Sequence, residues 1–305
     1  PPASDGGSSM VIATPPLHGG DTELTLSDVA KAVTAGRCLL FLGAGVHAGP
    51  SADKPFSYPT ASRPPLGGEL AQRLADGCDF RREFPHETPP SLQRVALCYE
   101  MKHGRDGLVR CLDEEILRAA TPSPLLRALA QLPFPLVVTT NYDRLFEKAL
   151  QAAGKDPDVS VYDKSDETPP TDYPDPTAAR PFLFKIHGDI RQPGSIVITD
   201  EDYIHFILRM GKERAVPKTV LYRFSTWPTL FIGYSLLDFN LRVLFRTLRF
   251  SVDLAPTSYS IDHRPDPLIV SVWGERDRLV RFIAQDVWAI VPELYQRVTG
   301  KPLEP

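Results

Sequence analysis

The sequence predicts an α/β protein built on a doubly wound, mostly parallel β-sheet. Short apolar runs such as Leu39–Leu42 and Leu136–Thr139 have the length and composition of strands buried on both faces, and stretches with helical periodicity separate them. Strands that alternate with helices are typical of parallel sheets covered by helices. Polar residues stand directly after four of these runs, which predicts a ligand site at one edge of the sheet.

Length and charge limit the function classes. The 305 residues suffice for one large domain, and the net charge of −4 gives no general attraction to nucleic acid or to anionic lipid. No apolar stretch reaches the roughly 18 residues of a membrane-spanning helix, and the N-terminus lacks a signal-peptide pattern. We therefore expect a cytoplasmic protein with a disordered leader over residues 1–22 and a folded domain over residues 23–305.

The first predicted helix begins at its cap Ser27 and ends at Gly36, and the strand Leu39–Leu42 follows it. This strand breaks into Gly43-Ala44-Gly45-Val46. A Gly-x-Gly turn after a buried strand lets the backbone approach a ligand, and its free N–H groups beside a helix N-terminus favour an anion such as pyrophosphate. The turn is therefore predicted to bind a nucleotide.

A loop and a helical insertion follow the turn. Residues 50–65 contain five prolines and little periodicity, so they form a loop that either covers a ligand or is a plain surface insertion. From residue 67 to residue 131 apolar side chains recur at helical spacing, which predicts a small helical subdomain inserted between the first two strands. The strand Leu136–Thr139 then leads through Thr140-Asn141-Tyr142-Asp143 into a helix over 144–153 that Gly154 closes.

The second half of the chain continues the alternation. Strands are predicted over residues 159–162, 182–186, 195–199, 229–232, 268–273 and 287–291, and helices over 216–225, 239–248 and the segment that Thr199 caps. Residues 163–180, rich in Pro, Asp and Thr, are predicted to be a loop. The strand over 182–186 delivers His187-Gly188-Asp189, and the strand over 229–232 ends in Gly233-Tyr234-Ser235.

Four polar clusters therefore follow buried strands directly. Because ligands bind outside the carboxyl ends of the strands in open α/β sheets, these clusters should converge on one cleft of a Rossmann-like sheet. The clusters are Gly43/Gly45, Asn141/Asp143, His187/Asp189 and Gly233/Ser235.

The sequence gives no pattern for a metal site. The four cysteines lie far apart and never form a Cys-x-x-Cys pair, so we expect buried or surface thiols in a reducing compartment and no zinc ribbon. Four histidines without metal-ligand spacing are expected at the surface. The cysteines are Cys38, Cys78, Cys98 and Cys111, and the histidines are His86, His103, His205 and His263.

Four motifs in this order resemble the sirtuin-like NAD-consuming proteins. They are Gly43-Ala44-Gly45-Val46, Thr139-Thr140-Asn141-Tyr142-Asp143, Lys185-Ile186-His187-Gly188-Asp189 and Phe231-Ile232-Gly233-Tyr234-Ser235-Leu236-Leu237-Asp238. The resemblance is closer to the bacterial anti-phage defence branch than to the protein deacylases, because Thr-Thr-Asn-Tyr-Asp and Gly-Tyr-Ser-x-x-Asp are typical of that branch and the deacylase zinc ribbon is missing.

The resemblance implies an NAD+ glycohydrolase that releases nicotinamide and ADP-ribose, with NAD+ as substrate, no metal, and toxicity by NAD depletion in defence. It implies Asn141, His187 and Asp143 as catalytic residues: the amide would bind the ribose hydroxyls or the water, and the imidazole would act as general base. The implied NAD-binding residues are Gly43, Ala44, Gly45, Val46, Thr140, Gly233, Tyr234, Ser235 and Asp238. A toxic activity needs gating, so a homo-oligomer or a separate sensor or activator subunit is expected.

Some residues keep two interpretations. His47 stands where the family commonly has Ser or Thr; it either contacts phosphate or points to solvent, and the second is slightly favoured. Residues 50–65 replace a short family segment, which leaves phosphate and ribose contacts over 47–66 undefined. Asp143 and Asp238 could be helix caps, and Asp189 could belong to a tight turn.

Three other functions compete with the hydrolase. A protein deacylase of the same fold would need a zinc module, which the cysteine spacing opposes. A non-catalytic sensor of NAD or ADP-ribose would need the cleft without its chemistry. A dehydrogenase would need an acidic residue about 20 residues after the glycines at the end of a second strand, where this chain has prolines and then Glu69 in a predicted helix.

Overall fold

The computed structural model describes residues 19–117, 121–164, 175–210, 216–236, 242–243, 256–276 and 280–305, and all structural statements concern these residues. The strands are β1 (Leu39–Leu42), β2 (Leu136–Thr139), β3 (Asp158–Val161), β4 (Phe182–Lys185), β5 (Thr229–Ile232), β6 (Ser258–Ile261) and β7 (Val280–Ile283). They form one sheet in the order β3-β4-β2-β1-β5-β6-β7, and every neighbouring pair is parallel. The predicted parallel α/β sheet is confirmed.

Helices cover both faces of this sheet, as a doubly wound fold requires. They are α1 (Gly19–Thr34), α2 (Gly67–Gly77), α3 (Phe80–Glu83), α4 (Leu92–Leu117), α5 (Pro124–Gln131), α6 (Leu145–Ala152), α7 (Asp200–Met210), α8 (Lys218–Thr226), α9 (Pro267–Val270) and α10 (Val287–Thr299). One core holds side chains of α1, α5, α6 and α10, and the opposite core holds side chains of α7, α8 and α9. None of the described helices is both long and apolar enough to cross a membrane.

Strand β1 shows why the apolar runs are continuous. Leu40 and Leu42 face the first core and Leu39 and Phe41 face the second, because side chains alternate along a strand. All four are at most 1% exposed. A strand buried on both faces therefore needs apolar residues at every position.

The helices between β1 and β2 divide into two groups. Side chains of α2, α3 and α4 form a third core together with isoleucines of the segment 190–198, and Leu74, Phe80 and Leu108 are fully buried in it. Helix α5 instead packs on α6 and contributes Leu125 and Leu129 to the first core of the sheet. The packed insertion thus ends at α4, and α5 belongs to the layer that covers the sheet.

The strand predicted over residues 195–199 is wrong. Its backbone N–H groups bind the His187 turn and the first turn of α7 instead of a neighbouring strand. The Val197 N–H donates to the His187 carbonyl, and the N–H groups of Ile198 and Thr199 donate to the Asp202 carboxylate. Thr199 does cap α7, since its hydroxyl accepts the Asp202 N–H. The segment therefore supports the His187 turn.

The last two predicted strands are also wrong, since residues 268–273 and 287–291 are helical. Short apolar runs cannot be assigned to strand or helix by periodicity alone, and here the deciding signals are the caps. Asp266 accepts the N–H groups of Leu268 and Ile269, and Asp286 accepts the N–H of Trp288. The true strands β6 and β7 have Ser258, Ser260 and Arg281 within them and lack a long apolar run.

Smaller differences between prediction and structure concern the ends of helices, and some predictions fall on residues that the structure does not describe. Helix α1 begins at Gly19, so Ser27 lies inside it and does not cap it. Gly36 and Gly154 follow the ends of α1 and α6, as predicted, and both have positive φ. Residues 1–18, residues 165–174 of the predicted loop, and the helix predicted over 239–248 apart from 242–243 lie outside the described residues.

Candidate active site

One cleft of about 340 Å³ lies at the carboxyl ends of β1, β2, β4 and β5, where convergence of the polar clusters was predicted. The loop before α2 and side chains of α2 and α4 form the wall opposite the sheet. The strand-end lining residues are Ala44, Gly45, His47, Thr140, Asn141, Tyr142, Asp143, His187, Gly233, Tyr234 and Ser235, and the other lining residues are Pro64, Pro65, Gly67, Leu70, Leu92, Gln93, Ile116 and Tyr203.

The structure brings most of the expected site residues into this cleft, but not all. Gly43 and Val46 do not line it, and Val46 is fully buried in the first core. Asp189 is buried behind the cleft and does not line it. Asp238 lies outside the described residues.

The glycine turn interlocks with the turn after β5. The Gly43 N–H donates to the Ile232 carbonyl, and the Gly45 N–H donates to the Gly233 carbonyl at 2.7 Å. The Val46 N–H donates to the Gly43 carbonyl. The expectation that these N–H groups are free for a phosphate is therefore wrong, because the protein itself uses all three.

Asn141 is held at the end of β2 by its backbone and its side chain. Its N–H donates to the Thr139 hydroxyl, which itself donates to the Leu42 carbonyl of β1. Its side-chain Nδ2 donates to the Gly43 carbonyl at 3.3 Å. Because Nδ2 is occupied by the glycine turn, the Oδ1 acceptor is the amide atom left to bind a hydroxyl or a water.

His187 is 5% exposed and packs against two aromatic rings. Its Nδ1 lies 3.4 Å from the Tyr203 hydroxyl, and the rings of Tyr203 and Phe206 stand edge-on to the imidazole. Burial lowers the pKa of His187 to about 3. The imidazole is therefore neutral at pH 7 and has a nitrogen available to accept a proton.

Asp143 is both a helix cap and part of a charge network. Its Oδ1 accepts the Leu145 N–H at 2.8 Å, and its Oδ2 lies 3.0 Å from His47 Nε2. Burial raises the pKa of this carboxyl, but the charge and hydrogen bond of His47 and the charge of Lys185 outweigh burial and hold the pKa at about 2. The carboxylate thus binds the start of α6, and the catalytic role of Asp143 stays a prediction.

The interpretation of His47 as solvent-facing is wrong. The residue is 1% exposed, and its ring lies between Asn141 and Asp143. Its Nε2 is 3.4 Å from Asn141 Nδ2. The short 3-10 turn Ala44–His47, which follows β1, directs the side chain inward. In contrast, the histidines expected at the surface, His86, His103, His205 and His263, are exposed.

Sequence reasoning missed Lys185, which is fully buried at the end of β4. Its ammonium lies 3.0 Å from a Glu147 carboxylate oxygen and 2.8 Å from one of Asp189, and it donates to the backbone carbonyls of Tyr142 and Asp143. Lys185 therefore joins the Asn141 loop to the His187 turn. A lysine within a strand that is otherwise apolar, four residues before an aspartate, was the signal for such a buried pair.

The cysteines show no metal arrangement in the described part of the chain. None of the four forms a disulfide, and no group of three or more His, Cys, Asp or Glu side chains there could hold a metal ion. Burial raises the pKa of the Cys38 and Cys78 thiols to about 12, so these two remain protonated.

Burial of neutral His187 predicts acid sensitivity. The folded pKa lies below the ordinary value of 6.5, so its contribution to stability is complete above about pH 6.5 and is lost as the pH falls toward about 3. We expect His187→Gln to flatten the loss of unfolding free energy between pH 6.5 and 5, where one such group contributes at most about 1.4 kcal/mol per pH unit. Urea unfolding at several pH values measures this, with exposed His86→Gln as control; equal slopes in wild type and His187→Gln would contradict it.

Comparison with known proteins shows which proteins this chain resembles. A SIR2-like domain matches residues 135–281. NAD(+) hydrolase ThsA of Cytobacillus dafuensis is 28% identical over 239 residues, which is 75% of this chain and 41% of the relative. NAD(+) hydrolase ThsA of Enterococcus faecium is 28% identical over 233 residues, 75% of this chain and 44% of the relative.

A shorter part of the chain is similar to a defence protein. Defense-associated sirtuin 2 of Bacillus subtilis is 31% identical over 116 residues, which is 37% of this chain and 10% of the relative. The chain spans about two fifths of the length of three of the ThsA relatives, 41% to 44%. The matches, the parallel sheet and the ordered motifs at its strand ends agree, and residues 135–281 resemble a SIR2-like domain.

Proposed function

We propose that this chain is an NAD+ glycohydrolase that cleaves the bond between nicotinamide and ribose and releases nicotinamide and ADP-ribose. The observation that carries the proposal is that Asn141 and His187, from the neighbouring strands β2 and β4, line the same cleft as Gly45 and Gly233. The relatives named as NAD(+) hydrolases support the same activity.

The residues present suit this chemistry. Cleavage of the glycosidic bond passes through an oxocarbenium-like transition state, so the enzyme mainly has to orient the ribose and the attacking water. The Asn141 amide, fixed through Gly43, offers Oδ1 to a ribose hydroxyl or to the water. Neutral His187 accepts the proton that the hydroxyl or the water loses. Thr140, Gly233, Tyr234 and Ser235 line the cleft and would contact the dinucleotide.

The direct test is to incubate the purified protein with NAD+ and to follow nicotinamide and ADP-ribose by chromatography. Time-dependent formation of both products supports the hydrolase. NAD+ binding without turnover in every assembly state would favour the sensor, and release of nicotinamide only with an acylated peptide would favour the deacylase.

The interlocked turns give a second prediction. A Cβ on Gly45 would lie 2.8 Å from the Gly233 carbonyl oxygen, and Gly233 itself has φ +70° with no room for a Cβ beside Val46. We expect Gly45→Val to shift both turns and so to lower NAD+ affinity together with thermal stability. Calorimetric titration and thermal melting measure the two effects.

The matched control is Gly68→Ala, because a Cβ on Gly68 meets no atom within 4 Å. The control should keep wild-type affinity. Unchanged NAD+ affinity in folded Gly45→Val protein would remove the turn after β1 from the site.

Zinc independence is a further prediction. The described residues provide no cage of thiolates or imidazoles, and hydrolysis through Asn141 and His187 needs no Lewis acid. Nicotinamide release should be unchanged after treatment with a chelator, and elemental analysis should find less than stoichiometric zinc. Activity that is lost to the chelator and restored by zinc would contradict the prediction.

We place this activity in anti-phage defence, where NAD+ depletion in the cytoplasm would stop infection at the expense of the cell, as in abortive infection. The named defence relative supports this role. Such an enzyme needs gating, and we propose that a homo-oligomer or a separate sensor or activator subunit supplies it. NAD+ turnover of size-separated monomer and assembly tests the gating; a fully active monomer would contradict it.

A further inference from the structure

His47 is a buried polar residue of the cleft for which the proposed mechanism has no role. Its side chain is 2% exposed, and its Nε2 lies 3.0 Å from Asp143 Oδ2 and 3.4 Å from Asn141 Nδ2. Its other nitrogen, Nδ1, is buried and has no hydrogen-bond partner among the described residues. The ring is thus held at Nε2 only.

The protonation state of Asp143 determines which residue donates the hydrogen bond between His47 and Asp143. Its pKa of about 2 makes the carboxyl an acceptor at neutral pH, so a hydrogen bond requires the proton on His47 Nε2. With that proton directed at Asp143, Nε2 has no lone pair to accept from the Asn141 amide. Asn141 Nδ2 donates instead to the Gly43 carbonyl at 3.3 Å, and Oδ1 is the amide acceptor for the substrate.

We propose that His47 is a positioning residue: its Nε2–H orients the Asp143 carboxylate, and its ring packs beside the Asn141 amide, whose Oδ1 is offered to the ribose or to water while Nδ2 donates to the Gly43 carbonyl. This inference rests on the proposed hydrolase function for its effect on turnover. The contact with Asp143 itself is independent of that function.

Only some side chains are long enough to place a donor where His47 Nε2 lies. A hydroxyl attached directly to Cβ, as in the Ser or Thr common at this position of the family, ends short of the place that Nε2 occupies. A glutamine carries an N–H at a comparable distance from its backbone, whereas a leucine fills similar space without a donor. Variants at position 47 can therefore separate the hydrogen bond from simple packing.

The experiment compares steady-state NAD+ hydrolysis of His47→Leu, His47→Ser and His47→Gln with the wild type. Loss of the donor in His47→Leu and His47→Ser should lower kcat about 10- to 100-fold, the range for a hydrogen bond to a charged group. KM should change by less than about threefold, because groups that bind the rest of the dinucleotide are untouched. His47→Gln should recover most of the lost kcat, and exposed His86→Leu should match the wild type.

A double-mutant cycle adds a readout that packing would not give. If His47 acts through Asp143, His47→Leu combined with Asp143→Asn should be scarcely slower than Asp143→Asn alone. Fully additive losses, equal losses in the Leu and Gln variants, or wild-type kcat in folded His47→Leu protein would each overturn the proposal.

Failure of the hydrolase proposal would look different. Nitrogen-15 spectra of the imidazoles, assigned by the signals absent from His47→Gln, report which ring nitrogen carries the proton without any turnover. A proton on Nε2 in the wild type that is redistributed in Asp143→Asn supports the contact even when the wild type releases no nicotinamide. An unprotonated Nε2 in the wild type, with the ring proton on Nδ1 alone, would overturn the inference and leave the hydrolase assay unaffected.

Discussion

Alanine at Asn141 or at His187 is expected to slow nicotinamide release by at least about 10²-fold, the low end for the loss of a positioned acid–base group. Both side chains line the cleft from the ends of neighbouring parallel strands. Asn141→Ala removes the amide oxygen that would bind the ribose or the water, and His187→Ala removes the base. Single-turnover measurement of nicotinamide release in the activated assembly gives the rate of the chemical step.

Two measurements make this result specific. Both variants should bind NAD+ with little change in affinity, because neither residue supplies the dinucleotide contacts of the turns after β1 and β5. His103→Ala is a suitable control, since His103 is exposed on α4. Near wild-type turnover in both Asn141→Ala and His187→Ala would reject the mechanism.

Lys185→Met is expected to destabilise the fold by about 3–5 kcal/mol, the range for breaking a buried ion pair by removing one partner. The ammonium is fully buried between Glu147 and Asp189, both of which are at most 4% exposed. Burial already raises the pKa of Glu147, and the charge of Lys185 opposes that rise. Without the ammonium, the two carboxyl groups lose their buried counter-charge, and the half-exposed Arg144 guanidinium remains 3.8–3.9 Å from them.

Urea unfolding measures this effect, and Lys148→Met on the exposed face of α6 is the matched control, with an expected change below about 0.5 kcal/mol. Because Lys185 also binds the carbonyls of Tyr142 and Asp143, the variant should lose turnover even at temperatures where it is folded. A loss of less than about 1 kcal/mol would show that the pair contributes little to stability.

Much of the fold follows from local patterns. The strands at Leu39–Leu42, Leu136–Thr139 and Thr229–Ile232 agree with the prediction, because each is a four-residue apolar run between turn or loop signals. The strands β6 and β7 at the edge of the sheet did not follow, since Ser258 and Ser260 are buried by tertiary packing that composition does not announce.

The sequence also predicted that the four polar clusters meet, because strand direction alone sends the carboxyl ends of parallel strands to one edge. It did not predict that α5 packs in the layer that covers the sheet and not with the other helices of the predicted insertion. Both groups of helices have similar periodicity, and only the packing partner distinguishes them.

What the sequence by itself determined is the class of sheet, the order of its strand-end motifs, and the presence of Asn141 and His187 at one cleft. The tertiary structure alone decided that His47 faces Asp143, that the turns at Gly45 and Gly233 use each other's backbone groups, and that Lys185 joins two loops. The physical reason is the sequence separation over which each kind of interaction acts. Hydrophobic periodicity acts within a few residues, whereas the contact of His47 with Asp143 joins positions 96 residues apart, and its direction depends on where packed strands place their side chains.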